Sequence, residues 1–547
     1  MMTKKAQSWR ELGLKEKIGQ LFICGFDGYR PTPGIARLIA EYGIGGVVYF
    51  RRNLRDARQV ASLSAELQEL AAVPLLTAID QEGGMVVRLE EGVTVMPGAM
   101  AIGAAGDPEL AYEAARRSGA ELKAIGINMN LAPCLDVNNN PDNPVIGVRS
   151  YGENPSAVAL LGVKALQGYQ DSGVAAVAKH FPGHGDTAAD SHFELPVVPH
   201  GRERLDEVEL LPFRAAIAAG VDAIMTAHVV FPAYEPDHIP ATLSRRILTG
   251  LLRERLGYRG VVVTDCLEMN AIAETIGVAK GAVEAVKGGA DLVLVSHRLD
   301  RQLAALEAVH DAVLAGEIPL SRIDEAVERV WLLKERRGLI RQSGSGSAPQ
   351  RAEAAGAEAA GAEVRSAAQE TAIRISEAAV TVVKGGERLP LDRGGRTLVV
   401  WAEPRVSTEV VEVIEQECTL AAALKDEGYA AEETRIGLDP AESEAAAALG
   451  AAAKADTIVF VSYDAAFSPG QIALIRKLNE LPDKAFALVA ARTPYDLLAV
   501  PEVPLYLCTY ENKPTMMNAL AGVLSGRLPA RGVLPVTIGP YPRGSRT

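Results

Sequence analysis

The sequence predicts an α/β protein: a TIM-type (β/α)8 barrel over residues 1–340, a linker over 341–369, and a second α/β layered, sandwich-like domain over 370–547. Three observations predict it. Short apolar, β-rich runs alternate with helix-patterned segments across roughly 300 residues, the size of such a barrel. The runs are continuously apolar rather than alternating, as expected of parallel strands covered on both faces. After Gly338 the composition breaks into Gly/Ser- and Ala-rich sequence, and a second series of apolar runs follows. A doubly wound open sheet is the alternative architecture for the first part.

From the N-terminus, MMTKKAQSWRELGLKEKIGQLF has basic residues but neither an apolar h-region nor a small-residue cleavage site. It reads as an amphipathic helix leading into a strand, not as a signal peptide. The strand candidates of the barrel are Ile18–Phe26, Gly43–Phe50, Val73–Asp80, Ile127–Val137, Val174–Phe181, Ala223–Phe231, Gly260–Asp265 and Asp291–Ser296. Between them, SAVALLGVKALQGYQDSG and SRRILTGLLRERLGYRG carry apolar residues at helical spacing and close near a glycine. QSGSGSAPQ (Gln342–Gln350) has linker composition, and AEAAGAEAAGAE (Ala352–Glu363) is low-complexity with helical character. The second domain offers strands at Ala379–Lys384, Thr397–Trp401, Thr457–Tyr463, Phe486–Arg492 and Leu505–Tyr510, and shows no acidic or nucleophilic constellation.

Composition narrows the function classes. A formal net charge of −13 disfavours nucleic-acid or anionic-membrane partners, which need a basic patch. No stretch approaches the ~20 uninterrupted apolar residues of a membrane span. The five cysteines (Cys24, Cys134, Cys266, Cys418, Cys508) are odd in number and scattered, with neither a disulfide framework nor zinc spacing. A reducing cytoplasm and a small ligand fit best.

The most informative stretch is KHFPGHGDTAADSHFELPVV, Lys179–Val198. It leaves a strand through Pro182, Gly183 and Gly185, a path suited to bringing several side chains to one point. Asp190 and His192 stand at i and i+2, where an extended loop projects side chains the same way. Asp190 can then orient the His192 ring and favour its protonated form, making a general acid/base. His180, His184, Asp190 and His192 could also be read as a metal set, but the proline and glycines oppose a helix that would align them. Asp265 ends the apolar run VVVTD at the C-terminal rim of the barrel, a place suited to a nucleophile or an electrostatic stabiliser. Glu268 reads as a first-turn helix acid. His228 and His297 read as satisfied strand-end histidines.

KHFPGHG followed by DSH, with VVVTDCLEM downstream, resembles the N-acetylglucosaminidase branch of glycoside hydrolase family 3. The resemblance extends over AIDQEGG (Ala78–Gly84), LAPCLDV (Leu131–Val137), NPVIGVRSYG (Asn143–Gly152) and MTAHVVFPAY (Met225–Tyr234), and more loosely over YENKPTMMNALAGVLSGRLPARGVLPVTI. It implies a retaining exo-β-N-acetylglucosaminidase in which Asp265 attacks the anomeric carbon. His192, paired with Asp190, would protonate the departing oxygen and then activate water. Asp80, Arg88, Arg149, Lys179 and His180 would grip the sugar; no cofactor or metal is required. The implied substrate is a small N-acetylglucosamine-containing oligosaccharide or muropeptide. Two residues depart from relatives: Met85 follows EGG where arginine is frequent, and Cys266 follows the nucleophile. A phosphorylase stays chemically open, because an imidazole adds no negative charge to repel phosphate. A β-glucosidase or xylosidase and a catalytically dead sugar-binding protein are the other readings.

Overall fold

The computed structural model describes residues 8–188, 195–340, 357–404 and 418–546. Eight strands form the first unit: β1 (Phe22–Cys24), β2 (Gly46–Tyr49), β3 (Leu76–Ile79), β4 (Met129–Asn130), β5 (Ala175–Phe181), β6 (Ala223–Thr226), β7 (Val261–Cys266) and β8 (Leu292–Val295). Each pairs in parallel with the next, and β8 pairs with β1, so the sheet closes. That closure excludes the open doubly wound sheet. The unbroken apolar runs follow from it. Val177, Met225, Val263 and Leu294 fill the barrel, while Ala176, Ile224, Val262 and Val293 pack outward against the helices.

Most strand expectations were too long, β1, β4 and β6 (Ala223–Thr226 within the expected Ala223–Phe231) the most. Ile18 and Gly19 belong to the helix Leu14–Gly19, leaving only Phe22–Cys24 in β1. In the run Ile127–Val137 only Met129–Asn130 form a strand. Pro133 has no N–H to donate there, although its carbonyl still accepts from Lys179 N at 3.2 Å and so keeps the chain against β5.

The N-terminal mouth is closed by the helix Leu320–Arg336, whose Val330 and Leu333 join the barrel interior. Beside them Lys334 is fully buried, its ammonium donating to Gln20 Oε1 at 2.7 Å. Asp222 is paired with Arg337 and Asp291 with Arg322 and Arg329 at the same end. Buried carboxylates just before β6 and β8 thus find their cations on the closing helix and the turn after it.

The second sheet runs in the order β11–β10–β12–β13–β14–β9, built from β9 (Thr381–Lys384), β10 (Arg396–Ala402), β11 (Ala430–Ile436), β12 (Thr457–Ser462), β13 (Ala485–Ala490) and β14 (Tyr506–Cys508). Only the β14–β9 pair is antiparallel. The strand missed in the sequence is β11. It lies at the sheet edge, and its sequence AAEETRI carries charged residues where the others are apolar. The helix Ala357–Ala379 precedes this sheet; its Ala368, Ala372 and Ile375 pack into the barrel's core, and Ala379 into that of the second domain. All five cysteines are free. Among the described residues no helix is long and apolar enough to cross a membrane.

Burial pushes the Lys334 amine down to about 7 from the ordinary 10.5. Between those two values the unfolded chain holds a proton that the folded protein lacks, so this group's contribution to stability rises with pH. Unfolding free energies from urea titrations of the wild type and Lys334→Met, compared from pH 7 to pH 10, should shift in favour of the wild type by about 3 to 5 kcal/mol. A constant difference across that range would refute the assignment.

Candidate active site

Each sequence-predicted site residue that the structure describes lies at or beyond the C-terminal end of a barrel strand. Asp80 directly follows β3, and Arg88 stands in the loop beyond it. Arg149 ends the 3-10 turn Gly147–Arg149 on the long connection after β4. Lys179 and His180 are late in β5, and Asp265 is the penultimate residue of β7. Asp190 and His192 lie outside the described residues. On either side of that gap, the His200 imidazole pairs with the Asp186 carboxylate and Val197 bridges to Val230.

Five of these residues are drawn together by one charge network. The Lys179 ammonium contacts Asp80 at 2.6 Å and Glu82 at 2.7 Å. Glu82 in turn accepts a two-pronged bond from Arg149, at 3.0 Å from Nε and 2.8 Å from Nη2. Arg149 Nη2 reaches His180 Nε2 at 3.4 Å, and His180 Nδ1 meets Asp136 at 2.7 Å. Arg88 approaches the other Asp80 oxygen at 3.9 Å. Burial opposes charge on Lys179, Arg149, Glu82 and Asp136. For Glu82 burial would raise the carboxyl, but Arg149 and Lys179 outweigh it and hold it below the usual carboxylate range. Burial likewise acts to raise Asp136, and the His180 and His184 rings overcome it. An ionised Asp136 can only accept, so His180 donates to it from Nδ1.

Lys179 is only 2% exposed whereas the Asp80 side chain is 18% exposed, the most open carboxylate in contact with it. One Asp80 oxygen is held by the ammonium, which leaves the carboxylate oriented and accessible to hydroxyl donors.

Backbone irregularity aims the reactive strands. The β5–β6 register shifts between Ala178 and Phe181, spanning Lys179 and His180. The β7–β8 register shifts between Val263 and Cys266, spanning Thr264 and Asp265. Such bulges re-aim side chains beside active sites. In β7 the Thr264 hydroxyl stands in for a ladder carbonyl, accepting from Leu294 N at 3.0 Å. Asp265 accepts from the Cys266 amide at 2.7 Å, and His228 Nε2 donates to the Cys266 carbonyl at 2.9 Å. Burial pushes the Cys266 thiol up to about 12, so it stays protonated beside Asp265.

Three contributors were not read from the sequence. Glu82, Asp136 and Asn143 stand within motifs whose resemblance was noted, yet none was singled out. A charge count at the strand ends would have found Glu82, because buried Lys179 and Arg149 need more carboxylate than Asp80 supplies. Asn143 donates to the carbonyls of His184 and Gly185 at 2.9 and 3.0 Å, tying the β4 connection to the β5 loop. Glu268 also departs from expectation. It accepts from the amides of His297 and Arg298, at the start of the helix Leu299–Leu314 rather than in the helix that follows it. His228 and His297 are satisfied, the latter stacked near Phe50 and bonded to Arg52.

Of the four-residue metal set, His180 and His184 direct Nδ1 to Asp136 and Thr187 respectively. Cys134, Asp136 and His180 do bring ligand atoms within 4.8 Å of one another. Their separations of 2.7 Å (His180 to Asp136) and 3.1 Å (Cys134 to Asp136) are those of direct hydrogen bonds, which already complete the carboxylate.

Residues 13–333 match the glycosyl hydrolase family 3 N-terminal domain. The chain belongs to glycoside hydrolase family 3. A structure of a β-N-acetylglucosaminidase of this family from Paenibacillus sp. str. FPU-7 is 53% identical, with a TM-score of 0.90 over 96% of this chain and 98% of that one. The β-hexosaminidase A of Pseudoalteromonas piscicida is 38% identical over 331 residues, and the alignment spans only 55% of each chain. A β-N-acetylglucosaminidase/β-glucosidase of Cellulomonas fimi is 29% identical over 96% of this chain and 94% of its own length. The likeness to the Paenibacillus structure thus extends over both the barrel and the second sheet of this family 3 chain.

Removing the Glu82 charge from the hydrolase would leave Lys179 and Arg149 under-compensated in a buried site. Glu82→Gln should cost about 3–5 kcal/mol in urea denaturation at neutral pH. Because the folded-state carboxyl lies below its ordinary 4.5, this stability is present above that value and fades as pH falls. The wild-type and Glu82→Gln curves should accordingly converge in acid; parallel curves would contradict the network.

Proposed function

We propose that the chain is a retaining exo-β-N-acetylglucosaminidase that releases terminal, non-reducing β-linked N-acetylglucosamine through a covalent glycosyl-enzyme. The observation that carries this reading is the near full-length likeness to the Paenibacillus β-N-acetylglucosaminidase. The rim geometry supports the roles. Asp265 is the nucleophile, its strand end fixed by the bulge and by His228. Asp80 accepts sugar hydroxyls, and Lys179, Arg149, His180 and Arg88 hold it and shape the pocket around the ring. His192, oriented by Asp190, serves as acid in glycosylation and base in deglycosylation. Asp265 ends β7 and the segment bearing Asp190 and His192 follows β5 in the chain, so the two reactive groups are assigned to different strands of one barrel. The domain division at 340 and 370 and a cytoplasmic setting, with chitooligosaccharides or muropeptides as substrates, complete the reading.

The mechanism demands few electrostatic extremes. The buried cations are already matched by Asp80 and Glu82, so the site offers a neutral sugar oriented hydrogen bonds rather than a net charge. Oxocarbenium character in the transition state is then stabilised chiefly by the carboxylate of Asp265.

Asp265→Ala should abolish hydrolysis of an aryl N-acetylglucosaminide, a loss of at least about 10³-fold in kcat. Full activity in that variant would remove the assigned nucleophile. Retention is tested by NMR of the first-formed anomer, where an α product would sink the double displacement. Asp190→Ala should lower turnover and reshape the pH–rate profile, whereas an unchanged profile would count against the dyad. Running the wild type with added phosphate separates the hydrolase from the phosphorylase, since only the latter releases sugar 1-phosphate.

A further inference from the structure

The barrel loop that links Glu82 to Arg88 is not held by the barrel alone. Its first turn is stitched internally: the amides of Glu82 and Gly83 donate to the Val86 carbonyl, and Gly84 N donates to Met96 O at 2.8 Å. The Gln81 amide oxygen accepts from Arg88 N at 2.9 Å and Leu89 N at 3.2 Å, folding the loop back on itself. Against this loop the second domain inserts the turn Tyr510–Lys513, which follows β14.

Glu511, almost fully buried, accepts from the Gly98 amide at 2.7 Å. The approach is so close that a Cβ on Gly84 would stand 2.7 Å from the Glu511 carboxylate and 2.7 Å from Gly98 Cα. Gly84 also has φ +54°, which favours glycine. Two residues on, Lys513 donates to Glu90 at 2.8 Å, and Glu90 is shared with Arg51, which bonds the Val87 carbonyl. The same loop is therefore gripped from the second domain at Gly98 and at Glu90, on both sides of Met96 and just beyond Arg88. The second Glu511 oxygen is buried with no hydrogen-bond partner among the described residues. A carboxyl placed there at that cost is spent on the one bond it makes, to the barrel.

We propose that Glu511 and Lys513 are positioning residues for the barrel's sugar pocket: the second domain fixes the loop that bears Glu82 and Arg88, and through Glu82 the placement of Lys179, Arg149 and Asp80. This rests on the sugar-gripping roles proposed above. The second domain is then part of the pocket's specificity apparatus without touching the substrate.

The test uses the full-length chain and three variants, Glu511→Ala, Glu511→Gln and Lys513→Met. Burial pushes the Glu511 carboxyl up to about 7, so the amide of Glu511→Gln is a close mimic of its protonated form and can still accept from Gly98. Steady-state kinetics on an aryl N-acetylglucosaminide should show KM rising about tenfold in Glu511→Ala, with kcat changed by less than about threefold, the pattern of lost substrate binding. Glu511→Gln should restore KM to within about twofold of the wild type. Hydrogen exchange followed by mass spectrometry should show faster exchange in residues 82–98 of Glu511→Ala, and more weakly of Lys513→Met, with other barrel peptides unchanged. An unaltered KM, or a fall in kcat alone that tracks the fraction of folded enzyme, would overturn the proposal. Unaltered exchange in 82–98 would overturn it as well. Exchange does not depend on the reaction, so a wild type inactive on this substrate would sink the assigned activity while the exchange arm still judges the positioning role.

Discussion

A lysine ammonium excluded from water at the mouth of a closed barrel is the constraint around which the site is organised. Lys179 cannot stay charged there without carboxylates, and it takes two, Asp80 and Glu82. Burial works against the charge on Lys179, and those neighbours restore it above the ordinary lysine range. Glu82 is then committed to Arg149 as well, and Arg149 to the His180 ring, so the geometry of one group sets that of the next. Such a chain is weak evidence for stability, because each ion's desolvation offsets much of its attraction. What it does supply is a fixed set of directions. With Lys179 and Arg149 satisfied from behind, Asp80 is the partly open carboxylate at the end of the chain.

The same economy of motion governs the strands. A regular β5 or β7 would alternate its side chains between the barrel interior and the helices, and polar groups at those positions would be buried with apolar neighbours. The register shifts at Lys179–His180 and at Thr264–Asp265 release these residues from that alternation at the rim. Below the shifts the strands keep their apolar register, with Val177 and Val263 in the barrel interior. The irregularity is confined to the last residues of each strand, where it aims a functional side chain without disturbing the core.

This division explains what the sequence disclosed. Closed parallel sheets leave continuous apolar runs, and all eight barrel strands were legible from them, as were five of the six in the second sheet. The exception, β11, is an edge strand that mixes Glu432, Glu433 and Arg435 into its run, so its pattern lacks the signal that revealed the others. Site residues were legible where they end a run, as Asp80, Lys179 and Asp265 do. Glu82 and Asp136 were not, because their importance lies in partners distant in sequence: Arg149 is 67 residues from Glu82, and His180 is 44 from Asp136. Bulges leave no mark in composition, and Glu268 was misassigned because the helix it serves begins some thirty residues later.

Distance along the chain also explains why the second domain matters to the first. The groups that balance Lys179 are carried on the connection after β3, and Arg149, which shares Glu82 with it, on the connection after β4; such loops lose conformational entropy when ordered. Both connections are backed by the second domain. Glu511 and Lys513 hold the first. The second, which carries Arg149, is bonded at Asn138 by Tyr495 at 2.9 Å and packed at Gly147 against Thr493, while the Glu153 carboxylate just beyond it accepts from Thr537. Glu82 and Arg149, which meet across the pocket, thus sit on two loops braced by one external body. A displacement of that body would move both partners of the ion pair, so domain packing and sugar-site geometry are expressions of the same set of contacts.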